Sequence, residues 1–204
     1  MRPHPAHPAH SSLALLFTLA LTILAPRQTQ AAPDRYEIDS EHLSIGFLVE
    51  HIGYGKILGM FRKADGYYDF DETTGVLTNV DVSIDTASVF TNHEKRDEHL
   101  RGGDFLDTDE FPHMRFTADR TRRTGERTFL VEGRLQLLGK TRPVTLRATW
   151  NKSAEYPLGD RAYVMGVSLR GSFERSAFGM TYAVANGWVG DEVELIIEFE
   201  ARRR

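Results

Sequence analysis

Residues 129–150 read FLVEGRLQLLGKTRPVTLRATW, two alternating runs on either side of Gly139-Lys140. In the first run, apolar side chains from Phe129 to Leu137 alternate with Glu132, Arg134 and Gln136. In the second run, every other residue from Val144 to Trp150 is apolar. Alternation with period two predicts strands that have one buried and one solvated face. The glycine between the runs is typical turn chemistry, so this stretch predicts two neighbouring antiparallel strands.

The same alternation recurs along the chain, separated by turn-forming Gly, Asp and Pro clusters at 71–75, 124–125 and 156–160. It predicts further strands at 45–51, at 56–70 with a break near Asp65-Gly66, and at 79–85, 114–118, 163–173 and 193–199. The chain is therefore predicted to be all-β, with about eight antiparallel strands. Such strands form either a closed barrel or a two-sheet sandwich, and periodicity alone does not separate the two.

One segment departs from the strand pattern. Thr91 and Glu94 have the spacing of a helix-capping box, and Gly102-Gly103 is a typical stop signal. These signals predict a short helix near residues 92–101. Asp97 and Arg101 lie four residues apart in it, which predicts a stabilising pair on a solvated helix face.

The N-terminal segment differs from the rest of the chain, because the first acidic residue is Asp34. Residues 13–25 read LALLFTLALTILA, which has the length of a signal-peptide core and is too short for a typical membrane span. Small residues end this segment at Ala31. We predict that residues 1–31 are a cleaved signal peptide and that 32–204 form one exported domain in the periplasm; the alternative is an uncleaved anchor.

Composition excludes several classes of protein. The 204 residues contain no Cys, so disulfides and thiolate metal sites are absent. The 25 Lys and Arg against 29 Asp and Glu give a net charge of −4. No basic excess is available to neutralise phosphates, so we do not expect nucleic acid as a partner.

A series of short motifs follows in order along residues 36–180. They are Tyr36-x-Ile38-Asp39, Phe47-x-x-x-His51, Gly59-x-Phe61, Ser88-x-x-Thr91, Arg96-Asp97-x-His99-Leu100, Asp104-Phe105, Phe111-Pro112-x-Met114-x-Phe116, Gly133-x-Leu135, Gly139–Val144 and Arg175-Ser176-x-Phe178-Gly179-Met180. Together these motifs resemble the YceI-like family of periplasmic, polyisoprenoid-binding proteins. The resemblance covers nearly all of the predicted mature chain. It implies an elongated, lipocalin-like barrel whose tunnel holds an isoprenoid chain, such as a quinone tail or a polyprenyl lipid.

The resemblance also implies where a ligand would lie. The apolar strand faces would line the tunnel through Phe47, Phe61, Val82, Ile84, Phe116, Phe129 and Leu135. Polar side chains that could orient a headgroup are His51, Arg96, His99 and Arg175. Each set also has a structural interpretation. The aromatic rings and His51 could be ordinary core residues, and the Arg96–His99 block could form an internal ion-pair network. Arg175 could bind backbone carbonyls and Asp97.

Catalytic and metal signals are weak. The five histidines after residue 31 include no H-x-H or H-E-x-x-H pair, so we expect no metal site. Ser88, Asp97 and His99 could be assembled into a triad, but no nucleophile elbow precedes the serine. We therefore expect a non-catalytic protein without a cofactor other than a bound lipid or quinone.

Two functions remain open from the sequence. The first is an exported protein that sequesters or carries an isoprenoid lipid, with the membrane as a further contact. The second is a periplasmic stress or structural protein whose barrel is filled by its own side chains and which acts through a protein partner such as a membrane cytochrome.

Overall fold

A computed structural model of the protein describes residues 32–204 together with Met1; the predicted signal peptide after Met1 lies outside the described residues. Ten strands and one α-helix follow one another: β1 Asp34–His51, β2 Gly55–Phe61, β3 Ala64–Phe70, β4 Leu77–Asp85, β5 Val89–Phe90, α1 Glu94–Arg101, β6 His113–Arg123, β7 Thr128–Leu137, β8 Lys140–Glu155, β9 Tyr163–Glu174 and β10 Val189–Arg203. Within residues 32–204, no helix is both long and apolar enough to cross a membrane.

All strands belong to one antiparallel sheet that closes on itself, because β10 pairs with β1 from Tyr36↔Arg203 to His51↔Val189. Strands β2 and β3 pair with the same edge of β1, at 45–51 and 34–37, so they form one interrupted strand. Strands β4 and β5 form a second interrupted strand in the same way. The ring therefore has eight strands. This confirms the predicted eight-stranded barrel with one short helix and decides against the sandwich.

The first interruption lies at residues 62–63, not at the predicted Asp65-Gly66. The backbone N–H groups of Arg62 and Lys63 both donate to the Ser88 hydroxyl oxygen, at 3.1 Å each. Ser88 lies in the 3₁₀ turn that interrupts the neighbouring strand. Gly66 instead continues the ladder, where a Cβ would overlap the β4 backbone at Asp81 and Val82. The glycine therefore marks a close approach of two strands, not a break.

Alternating side chains face the interior of the barrel as the sequence predicts. Phe129, Val131, Leu135 and Leu137 are buried, while Glu132, Arg134 and Gln136 are exposed. Two inward positions carry glycine under an aromatic ring: Phe47 covers Gly59 and Phe116 covers Gly133, and in each case a Cβ would overlap the ring. Residues 34–203 supply every strand of the closed sheet and its buried core, and residues 32–204 form one compact unit.

Helix α1 begins at a different cap from the predicted one. The N-cap is His93, whose Nδ1 accepts from the Arg96 backbone N–H at 3.2 Å. The predicted Asp97–Arg101 pair is also wrong: Asp97 is buried and accepts from the Thr91 backbone N–H at 2.7 Å and from the Thr91 hydroxyl. Arg101 donates to the carbonyls of Ala87 and Val89. Both side chains therefore attach the helix to the strand before it.

Candidate functional site

The barrel interior contains two apolar cavities in series. The larger has a volume of about 420 Å³ and extends to the end of the barrel at the β1–β2 turn, α1 and the 181–188 loop. The smaller, of about 100 Å³, lies toward the opposite end. Both are lined by the same ring of side chains where they meet: Ile38, Val82, Phe116, Leu146, Leu169 and Phe199. We call this set the shared ring.

The structure brings the sequence-predicted site residues together around this lumen. Ten of them line the larger cavity: Phe47, His51, Phe61, Val82, Ile84, Arg96, His99, Phe116, Leu135 and Arg175. Phe129 lines the smaller cavity and packs edge-on against Phe70, with 5.8 Å between ring centroids. Phe47 and Phe61 pack together at 5.6 Å and remain only partly buried, facing the larger cavity. Ligand contact by these residues stays a prediction.

Arg175 is the most deeply buried polar group of the site, with 1% of its surface exposed. Its Nε donates to Gly190 O at 2.8 Å, its Nη1 to Met180 O at 2.9 Å, and its Nη2 to Tyr182 O and Val189 O. Burial lowers the pKa of this guanidinium, and the nearby Asp191 carboxylate opposes that effect. No hydrogen bond joins Arg175 to Asp97 within residues 32–204. Arg175 therefore anchors the loop that forms one side of the cavity mouth.

Arg96 and His99 lie on α1 beside the mouth. Arg96 donates from Nε to the Thr91 hydroxyl at 2.7 Å and from Nη2 to the Thr91 carbonyl at 2.6 Å. His99 Nε2 lies 3.0 Å from Asp104 Oδ2, and its ring meets Phe105 and Tyr182 edge-on. Arg96 and Asp97 are thus linked through the Thr91 hydroxyl, which accepts from Arg96 and donates to Asp97, whereas the contact of His99 with Asp104 is separate.

His51 is not a core histidine. It is exposed at the end of β1, where it lines the opening of the larger cavity. The alternating pattern places it on the inward face of β1, but the strand ends there and the turn at 52–54 leaves its ring at the surface. Strand position along the barrel axis, which alternation does not report, decides its exposure.

The opposite end of the lumen is closed by tyrosines around one carboxylate. Tyr36 donates to Glu72 Oε1 at 2.6 Å, and Tyr163 donates to Glu72 Oε2 at 3.2 Å. Burial, followed by the hydrogen bond to Glu72, raises the pKa of Tyr36. Buried Tyr68 stacks on Tyr36 with centroids 5.3 Å apart. Sequence reasoning missed this cluster, because Glu72 stands in a turn that only barrel closure brings against Tyr36 and Tyr163.

The residues considered for catalysis are not assembled. Ser88 donates to Asp85 O, Asp97 accepts from Thr91, and His99 bonds to Asp104, so the three groups do not bond to one another. Within residues 32–204, no group of three or more His, Asp or Glu side chains could hold a metal ion.

A closed ring of eight antiparallel strands around an apolar lumen defines the class of lipocalin-like barrels. Within that class, the chain belongs to the YceI-like family, whose domain matches residues 36–201. Protein YceI of Salmonella arizonae is 34% identical over 184 residues, covering 90% of this chain and 94% of that protein.

Two solved structures share the fold. BcnA of Burkholderia cenocepacia superposes with a TM-score of 0.69 at 19% identity, covering 80% of this chain and 98% of that one. A polyisoprenoid-binding domain from Saccharophagus degradans superposes with a TM-score of 0.61 at 12% identity, covering 83% and 98%. At these identities the likeness concerns the fold alone.

Proposed function

We propose that this protein is an exported, non-catalytic binding protein that sequesters or carries an isoprenoid lipid in its barrel lumen. The observation that carries the proposal is the pair of apolar cavities in series, which form a long, narrow, apolar space with polar groups at one end. A linear hydrocarbon with a polar headgroup has the same arrangement of apolar and polar groups. The Saccharophagus degradans structure of the same fold is described as a polyisoprenoid-binding domain, so the fold is compatible with this ligand class.

We propose that different parts of the ligand occupy different parts of the lumen. The tail would pass Phe47 and Phe61 and reach Phe116 at the shared ring. Burial of each methylene contributes about 0.8 kcal/mol, so the tail supplies the affinity. Much of that gain is offset by the ordering of a flexible chain.

Headgroup recognition would rest on few groups. Arg175 already donates to four carbonyls, so little of its hydrogen-bonding capacity is left for a ligand. Arg96 uses Nε and Nη2 for Thr91, while its Nη1 has no hydrogen-bond partner within residues 32–204. His51 is exposed at the opening. We propose Arg96 and His51 as the headgroup contacts, able to donate to a quinone carbonyl or a phosphate.

The cavity volume favours this proposal over the second candidate function. A barrel that acts only through a protein partner, such as a membrane cytochrome, needs no space of about 420 Å³ in its interior. Unfilled apolar space destabilises a fold, because its lining loses dispersion contacts. The loss of stability that such a cavity causes is offset when an apolar ligand fills it, so the cavity favours a ligand-binding function.

Native mass spectrometry tests the proposal on protein expressed from the full chain and recovered from the periplasm without detergent. We expect a stoichiometric adduct that solvent extraction identifies as a quinone or polyprenyl lipid, and an N-terminus at Ala32. Phe116→Ala should reduce the retained adduct, whereas Leu130→Ala on the outer face of β7 should not. An adduct-free mass that incubation with both lipid classes leaves unchanged would contradict the proposal and favour the partner-binding alternative.

A further inference from the structure

Large apolar side chains are exposed around the mouth of the larger cavity. Tyr54 is 92% exposed, Trp188 59%, Ile52 47% and Tyr182 43%. We call these four residues the mouth rim. They come from the turn after β1 and from the 181–188 loop, and the Ile52 backbone N–H joins the two by donating to Trp188 O at 3.0 Å. The mouth rim is therefore one surface built from two connected segments.

The backbone presents this surface at a conformational cost. Ile52 has φ = 51°, in the left-handed region that a β-branched residue rarely adopts. Ala183, in the second segment, has φ = 55°. Exposure of an isoleucine and a tryptophan to water is a further cost. Strained backbone that places apolar side chains in solvent is expected where those side chains meet something apolar.

The mouth rim is continuous with the wall of the cavity. Ile52, Tyr182 and Trp188 are exposed outside and also line the lumen inside. An apolar ligand could therefore pass from the surface into the barrel along these three side chains. The partner that offers both an apolar layer for these side chains and a source of long hydrocarbon chains is a lipid bilayer.

Charge favours a neutral bilayer surface. The mouth segments at 50–56, 94–104 and 181–188 contain four Lys or Arg and five Asp or Glu. Lys56 bonds to Glu194, and Arg101 bonds to two carbonyls. Four exposed arginines without ion pairs within residues 32–204 lie on the far wall, at 120, 122, 134 and 147. An attraction to anionic lipid would orient that wall, not the mouth, toward the membrane.

We propose that the mouth rim docks the barrel end-on to a bilayer surface, with Tyr54 and Trp188 at the level of the lipid headgroups. Tyr and Trp are the side chains enriched at this depth, because their rings are apolar and their N–H and O–H groups are polar. This inference rests on the proposed lipid-binding function and adds the surface through which the ligand enters and leaves.

Flotation of residues 32–204 with phosphatidylcholine vesicles tests the docking. The double variant Tyr54→Ser/Trp188→Ser should bind vesicles about tenfold less, since it removes the two largest exposed apolar side chains that the bilayer would cover. The matched control is Leu158→Ser, because Leu158 is 71% exposed in the β8–β9 turn at the opposite end of the barrel. The control should bind like the unchanged protein. In a Trp150→Phe background, Trp188 is the only tryptophan and its emission should shift to shorter wavelength with vesicles.

Three outcomes would overturn the docking proposal. The first is equal vesicle binding by the double variant and the unchanged protein. The second is binding that requires phosphatidylglycerol and disappears in about 1 M salt. The third is that the barrel captures a second protein through the mouth rim but does not bind vesicles. Vesicles free of isoprenoids keep the two proposals distinguishable. Flotation without any isoprenoid adduct in native mass spectrometry would contradict the proposed isoprenoid ligand. An adduct without flotation would contradict only the proposed docking to a bilayer.

Discussion

At the scale of single residues, the four carbonyls around Arg175 define what that side chain does. Removing the guanidinium would leave acceptors of the 180–190 segment buried without a donor. An unsatisfied buried polar group costs more than a hydrogen bond contributes, because the group has lost its water as well. The tie to backbone carbonyls, one of the two roles considered for this residue, is therefore the one that its geometry supports.

Arg175→Met should destabilise the fold by about 3–5 kcal/mol, since it removes several buried donors at once. Arg175→Lys should recover only part of this loss, because an ammonium group cannot reach all four carbonyls that the planar guanidinium contacts. Denaturant unfolding measures both effects, with Arg134→Met, at an exposed position of β7, as the control. Full stability of Arg175→Met together with lost lipid retention would instead assign Arg175 to the headgroup.

At the scale of elements, alternation located the central part of most strands, since it is a local consequence of strand geometry and of one buried face. It missed the first half of β1, residues 34–44, and the two-residue strand β5. The cap of α1, the partner of Asp97 and the interruption at 62–63 could not be predicted. The interruption depends on Ser88, more than twenty residues away, which only the fold brings near. The other two depend on bonds between residues three and six apart, and spacing alone does not show which nearby polar side chain makes them. The mouth rim escaped prediction for a related reason, because turns carry no periodicity that reports which way a side chain faces.

Helix α1 depends on Asp97 for its attachment to Thr91. Asp97→Ala should lower the free energy of unfolding by about 1–3 kcal/mol, because Thr91 N–H is left without its acceptor. Hydrogen exchange of the α1 amides should rise more than exchange in β7. Glu98→Ala, at an exposed position of the same helix, is the matched control and should leave both unchanged. Uniform exchange changes across the whole barrel would show that Asp97 does not act locally.

Strands β4 and β6 are joined on the outer face by Asp81 and Arg115, whose Nε donates to Asp81 Oδ1 at 2.6 Å. This hydrogen bond lowers the pKa of the Asp81 carboxyl group. The folded protein therefore binds the proton less readily than the unfolded chain. The stabilising contribution is complete above about pH 4 and is lost as the pH falls through the lower folded pKa.

Asp81→Asn should therefore reduce the dependence of thermal stability on pH below about pH 4, because the titrating partner is gone. Melting curves across the acidic range measure this dependence. Asp109→Asn, in the loop before β6, changes the same charge without breaking an ion pair within residues 32–204 and serves as control. An unchanged slope in Asp81→Asn would contradict the assigned role of the pair.

At the scale of the whole molecule, the barrel has two different ends. Exposed apolar side chains surround the mouth, whereas Tyr36, Glu72 and Tyr163 close the opposite end through hydrogen bonds. A ligand would therefore enter tail first and leave head first through the same opening. The length of lumen beyond the shared ring then limits how much of the tail can be buried, and the ring becomes the point at which chain length is selected.

Leu169→Trp tests that selection at the shared ring. Leu169 lines both cavities and is only partly buried, so a larger side chain there would fill space between them. Quinones with a short isoprenoid tail should bind as before, whereas long-tailed ones should lose about tenfold or more in affinity, since exclusion of two methylenes already has this effect. Fluorescence titration with each quinone measures the affinity. Leu130→Trp, on the outer face of β7, is the control. If both tail lengths lose affinity equally, the smaller cavity holds no part of the ligand, and binding is confined to the larger one.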